Sequence, residues 1–318
     1  MNSDRSDQPN RVIVFGASGT IGSAVIRALT QAGFEGHGFL RRSAENKAIA
    51  DDWPEAANAH FGDVIKPQEI AAVMQEARPH AVISCLASRT GAPGDADAID
   101  FQANLDVLDA AEAAGAKQFV LLSAICVQKP RLAFQHAKLR FERRLQVSGL
   151  TWSIVRPTAF FKSLSGQVSR VRAGKPFLLF GDGQLTRCKP ISDDDLARYL
   201  VECLSDQSKH GQILPIGGPG PAISLREQGD MLFELAGMEP RFRKLSPSVF
   251  KVLAAMLAPL AAISDWVAAK REYLRIAYYY ATESMLAWDS ETGAYSADNT
   301  PEYGSDTLEA HYREMLNR

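Results

Sequence analysis

Three glycines and two adjacent arginines are the residues whose types and spacing first suggest chemistry in this chain. Gly16, Gly19 and Gly22 lie in Val-Ile-Val-Phe-Gly-Ala-Ser-Gly-Thr-Ile-Gly, residues 12–22. Four apolar residues run into a glycine-rich turn, and Ile21, Val25, Ile26 and Leu29 then recur at helical spacing. The pattern predicts strand, tight turn and helix N-terminus. Backbone N–H groups in such a turn, with the helix dipole behind them, favour an anion. Gly16 permits the turn, Gly19 lets a pyrophosphate approach the backbone, and Gly22 lets helix and strand pack closely. Ser18, Thr20 and Ile21 complete the expected dinucleotide-binding turn. The competing reading is a turn that only packs. Residues 34–42 form the next strand signal and end in Arg41 and Arg42. Guanidinium groups there suit a 2′-phosphate where a carboxylate would suit a free 2′-hydroxyl, so NADPH is the expected cofactor. A solvated basic loop would carry the same two residues.

The elements that must position these groups alternate. Apolar strand signals fall at 12–15, 36–40, 57–61, 80–86, 118–123 and 151–156, with helical patterns near 20–32, 67–77, 97–114 and 133–148. This implies an α/β fold: a doubly wound Rossmann-type parallel sheet with helices on both faces. Ligands of such sheets bind beyond the carboxyl ends of the strands. That rim gathers residues 16–22 with Arg41, Asp63, Leu86, Ala87, Ser88, Ser123, Arg156 and Pro157. Pro157 ends the pairing of the sixth strand. Beyond it, turns at 181–183 and 215–221 separate helical segments at 193–205 and 224–236. Three parts are expected: a disordered N-terminus over 1–10, an NADP-binding domain over 11–157, and a smaller C-terminal substrate lobe over 158–318 packed on it.

With 318 residues, 46% of them apolar, the chain can bury a large core. A net charge of −2 offers no electrostatic basis for binding nucleic acid. Cys85, Cys126, Cys188 and Cys203 form no CxxC pair and lack clustered histidines, so neither a metal site nor a disulfide framework is expected. The first ten residues are polar and carry Asp4 and Asp7, which fits neither a secretory signal nor a transit peptide. No apolar run reaches the ~18 residues needed to span a bilayer. The longest, 249–263, contains Lys251 and Pro259. It reads as a helix buried against the lobe, or as a mobile cover that also touches a membrane.

The chain resembles the extended and atypical short-chain dehydrogenases, in which the GxxGxxG spacing occurs. The resemblance implies that Asp63 contacts the adenine; a carboxylate that caps a turn is the alternative. Members usually carry Ser, Tyr and Lys, with the Tyr four residues before the Lys. Here Ser123 ends the fifth strand, and Lys138 stands in Phe134-Gln135-His136-Ala137-Lys138. Phe134 occupies the tyrosine's place and has no proton to give. By this likeness Lys138 binds the nicotinamide ribose and Ser123 lies near the nicotinamide; a solvated lysine and a loop-bonded serine are the alternatives. Interconversion of alcohol and ketone by the usual route is not expected. Reduction of a conjugated carbon–carbon double bond fits better, because it requires no acid at a carbonyl.

More specific blocks are 85–89 (CLASR), 119–130 (FVLLSAICVQKP), 155–164 (VRPTAFFKSL), 180–183 (FGDG), 188–192 (CKPIS), 214–220 (LPIGGPG) and 279–286 (YYATESML). Over about residues 11–309 the chain is similar to the NADPH-dependent divinyl chlorophyllide 8-vinyl reductases. The resemblance implies reduction of the 8-vinyl group of divinyl chlorophyllide or protochlorophyllide a to ethyl, in chlorophyll or bacteriochlorophyll biosynthesis. Such a flat, apolar tetrapyrrole calls for a hydrophobic pocket with a few polar anchors. Phe160 and Phe161 could stack on it, Lys162 could meet its carboxylate, and Tyr279, with Tyr278, Tyr280 and Trp288, could line the pocket. His136 could reach the central magnesium or give the proton, as could Cys126. The same residues read otherwise as core aromatics and solvated charges. Plant members carry a plastid-directing extension. None is recognised here, so a bacterial, cytoplasmic protein is expected, with at most peripheral contact to the photosynthetic membrane. A non-catalytic NADP-binding redox sensor or assembly factor, and an isoflavone-reductase-like enzyme acting on small phenolics, are the competing readings.

Overall fold

A computed structural model describes residues 10–261 and 263–317. Among them a seven-stranded parallel sheet runs through β1 (Arg11–Phe15), β2 (Glu35–Leu40), β3 (Asn58–Phe61), β4 (Ala81–Ser84), β5 (Gln118–Leu122), β6 (Thr151–Pro157) and β7 (Gln212–Ile216). Their order is β3-β2-β1-β4-β5-β6-β7. The doubly wound α/β class expected from the alternation is the class found. Val12 pairs with Gly36 on one side and Ala81 on the other, so β1 is central. Strand order reverses there, which opens a crevice at its carboxyl end.

Central strands of a parallel sheet are apolar because helices cover both faces. Val12, Val14 and Ile83 belong to one buried layer, with Val25 and Leu29 of helix α1 (Thr20–Gln31). Ile13, Phe15 and Val82 belong to the other, with Phe141 and Leu145 of helix α2 (Ala133–Gln146). The stretch expected to form the lobe also returns to the sheet. It supplies β7 and helix α3 (Asp193–Glu202), whose Leu196 and Leu200 share the first layer with α1. Ser192 caps α3 by accepting from the Asp195 N–H at 3.0 Å, and Asp193 and Asp194 in the first turn suit the dipole.

The rest of the C-terminal half builds a separate core from Phe161, Val171, Phe177, Leu179, Phe233 and Tyr312. A helical hairpin follows: α4 (Ser248–Ala261) and α5 (Asp265–Thr282). α5 was not expected from the apolar periodicity. The reading of 249–263 as a helix buried against the lobe is corrected. Of α4 only Ala254 is buried, while Val249, Val252, Met256 and Leu260 are 52–68% exposed. Residues 1–9 of the expected disordered N-terminus lie outside the described residues.

Candidate active site

The glycine turn has the predicted form. Gly16 sits at φ 78°, a left-handed conformation that glycine adopts freely, and the Gly19 N–H donates to its carbonyl at 3.0 Å. A Cβ at Gly16 would stand 2.7 Å from the Cys85 carbonyl oxygen, and one at Gly22 only 2.2 Å from the Gly16 oxygen. Both positions therefore exclude any side chain. Gly19 is the N-cap of α1 and contributes no side-chain cap. First-turn N–H groups of α1 are thus free of a side-chain acceptor and face the turn.

A cleft of about 460 Å³ opens in front of this turn. Gly16, Ser18, Gly19, Arg41, Asp63, Leu86 and Ala87 line it, as expected. A cradle closed to Cβ atoms, with a guanidinium at the ribose end, fits an NADP dinucleotide. Arg89 also lines the cleft and was missed, since only tertiary packing brings its loop opposite β2. Asp63 lines the cleft, and its Oδ1 accepts from the Ile65 N–H at 3.2 Å, as a turn-capping carboxylate does. Arg42 is corrected. Its guanidinium donates to Glu69 at 2.7 Å, which, with Lys66, holds that carboxyl down at about 2. It does not line the cleft. Ser88 stands back from the wall, its N–H directed at Asp100 at 3.4 Å. Ile21 and Gly22 are buried in α1 and act through packing.

Lys138 is no surface charge. Its Nζ meets Asp100 Oδ1 at 3.0 Å, with the two side chains 8% and 1% exposed. Asp100 lies in a π-helical turn, Asp97–Ala103, which widens the helix at the point facing α2. Burial pushes the Cys85 thiol up to about 12, and also raises Cys126, with Lys138 opposing both shifts. Lys138 itself lines neither the cleft nor the second cavity described below. Ser123 behaves otherwise than expected. Its hydroxyl donates to Glu142 at 2.5 Å, and Glu142 also pairs with Arg156. It lies behind the rim and lines neither cavity. His136 is exposed on α2 and lines neither cavity.

The second cavity, about 470 Å³, is walled by Cys126, Pro157, Phe160, Arg187, Tyr280 and Met285, among others. Phe160 and Cys126 both stand on this wall, Cys126 with only 2% of its surface exposed. Phe161 is corrected: it is 4% exposed and belongs to the lobe core. Lys162 is corrected too. Its Nζ donates to Thr20 Oγ1 at 2.6 Å, at the anion-binding end of α1 and not in this cavity. Tyr279 is 3% exposed, and its hydroxyl donates to the Cys126 and Lys129 carbonyls at 3.0 and 3.2 Å. It is a structural tie, and the neighbouring Tyr280 faces the cavity instead. Phe134 packs with Ile276 in the cluster around Cys126, Leu132 and Tyr279, so the usual acid's position is covered by apolar groups.

A parallel sheet with a glycine turn at its switch point, a helix N-terminus behind it and a cleft lined by Arg41 in front define an NAD(P)H-binding oxidoreductase of the Rossmann class. A family profile described as NAD(P)H-binding matches residues 16–207. The chain is 46% identical to the chloroplastic divinyl chlorophyllide a 8-vinyl-reductase of Oryza sativa subsp. indica, over 96% of this chain and 78% of that one. It is 44% identical to the chloroplastic enzyme of the same name from Zea mays, over 96% and 79%. The chain belongs to the divinyl chlorophyllide a 8-vinyl-reductase family. Among solved structures, an NADPH-dependent quinone oxidoreductase of Escherichia coli in complex with NADPH superposes with a TM-score of 0.70, over 96% of this chain and all of that one, at 17% identity. That likeness concerns the fold alone. The expected bacterial, cytoplasmic setting is contradicted by these relatives, which are plant chloroplast enzymes.

Proposed function

We propose that this chain reduces the 8-vinyl group of divinyl chlorophyllide a, or its protochlorophyllide, to ethyl with NADPH. The observation that carries this reading is 46% identity to the rice enzyme across nearly the whole chain. Phe134 agrees with it, since a vinyl group conjugated to a macrocycle needs no carbonyl acid. The reading of a non-catalytic sensor or assembly factor is not favoured.

NADPH, when bound, supplies the hydride. The turn at 16–22 holds the pyrophosphate, with Lys162 beside it at Thr20. Arg41 meets the 2′-phosphate. Lys138, oriented by Asp100, binds the nicotinamide ribose. The cavity behind Pro157 takes the macrocycle against Phe160. The test is incubation with divinyl chlorophyllide and NADPH. A blue-shifted Soret band should appear with one NADPH oxidised per pigment. NADPH oxidation driven only by small phenolics, or none with the pigment, rejects the reading.

Membrane contact is proposed at the α4–α5 hairpin. Val252, Met256, Leu260, Ile263 and Trp266 are 52–81% exposed. Lys251 stands on α4, and Lys270 and Arg271 on α5. An apolar face with nearby basic residues suits the surface of an anionic bilayer. No helix among the described residues is long and apolar enough to cross one. Met256→Asp with Leu260→Asp should leave the melting temperature unchanged, because both sites are exposed. Flotation with anionic liposomes should fall at least about tenfold. A folded double mutant that floats like the wild type refutes the contact.

A further inference from the structure

Reduction of a carbon–carbon double bond takes a proton as well as a hydride, and Phe134 brings no acidic hydrogen to the usual position on α2. The wall of the second cavity holds few groups that can. Glu283 is one, but although burial works to raise its carboxyl, Lys129, Tyr295 and Arg131 together hold it below the usual range. It is ionised and has no proton to give. The Thr158 hydroxyl is spent on the Lys189 carbonyl, and Arg187 is committed to Glu227 and the Ala222 carbonyl. Cys188 is only 5% exposed, so its thiol offers a ligand almost no surface. Cys126 is only 2% exposed, so its thiol is sealed from a ligand.

Tyr280 differs from all of these. It lines the cavity and is 46% exposed, and its hydroxyl lies 4.0 Å from Cys126 Sγ. Loss of solvation around that hydroxyl holds the phenol well above its usual range, so it is protonated at neutral pH. Its helix, α5, is also the one that packs Ile276 and Tyr279 against the Phe134 cluster. The element that covers the vacated acid position on α2 therefore brings a phenol of its own to the cavity.

We propose that Tyr280 is the proton donor of the vinyl reduction. The inference rests on the function proposed above. The hydride from NADPH forms one new C–H bond as the vinyl π bond breaks, and NADPH leaves as NADP⁺. The electron pair of that π bond remains on the other vinyl carbon, where the conjugated macrocycle spreads it. Tyr280 Oη–H breaks as the second C–H bond forms there. The phenolate recovers its proton from water at the cavity mouth.

Tyr280→Phe retains the ring and removes the hydroxyl. Turnover of divinyl chlorophyllide should fall at least about 100-fold. The dissociation constant for NADPH, read by fluorescence titration, and the melting temperature should match the wild type. Replacing Tyr280 with 3,5-difluorotyrosine keeps a hydroxyl on a more acidic ring. Turnover should return, with the alkaline limb of its pH profile moved to lower pH. Cys126, Cys188, Arg187 and Glu283, the other titratable groups facing the site, are the same in both variants. Wild-type turnover tests the vinyl-reduction reading, and the comparison among variants tests the donor alone. Three results overturn the assignment: Tyr280→Phe turnover within about tenfold of wild type, a loss matched by equally weakened NADPH binding, or an unmoved alkaline limb in the fluorinated protein.

Discussion

Lys138→Ala is expected to weaken both the fold and the reaction. The Lys138–Asp100 pair is buried on both sides, at 8% and 1% exposure. Removing one partner of such a pair strands the other charge away from water, at a cost of about 3–5 kcal/mol. Asp100 retains one N–H, from Ser88, which offsets only part of that cost. The loss should appear as a lower urea midpoint with an unchanged slope. Turnover should fall as well, by roughly 100-fold, because a nicotinamide ribose without its anchor leaves the reacting carbons out of register. Asp100→Asn separates the two effects. It keeps the amine and removes the charge that orients it, so NADPH binding should survive better than in Lys138→Ala. A Lys138→Ala protein with wild-type midpoint, NADPH affinity and turnover would remove this lysine from the site.

Arg41→Ala should weaken NADPH binding by roughly 10- to 150-fold, the equivalent of one hydrogen bond to a charged group at ~1.5–3 kcal/mol. NADH, which lacks the 2′-phosphate, should bind nearly as before. Arg42→Ala is the internal control. Its guanidinium is 62% exposed and directed at Glu69, so its removal costs at most ~1 kcal/mol and leaves cofactor preference in place. Fluorescence titration of both variants with both cofactors decides the matter. Equal losses for NADPH and NADH in Arg41→Ala, or a larger NADPH loss in Arg42→Ala, would contradict the assignment.

The two arginines illustrate what could be read along the chain. Residue type alone suits either to a phosphate. Both lie just past the last residue of β2, and only Arg41 lines the cleft. Glu69, from a helix 27 residues on, captures the other. Phe160 and Phe161 likewise divide between cavity and core, and on α5 the turn of about 100° per residue sends Tyr279 into the core and Tyr280 into the cavity.

The sequence by itself determined the glycine turn, the strand–helix alternation, the sheet class and the absence of an acid at Phe134. These are local matters, decided by residues within one turn or one element of each other. The tertiary structure alone decided that Ser123 is spent on Glu142, that Lys162 serves the N-terminus of α1, that β7 and α3 return to the sheet, and that α5 delivers Tyr280. Each depends on a partner 19 to 154 residues away. Such contacts are fixed by packing between elements, and their identity is not encoded in the spacing of either partner's own segment.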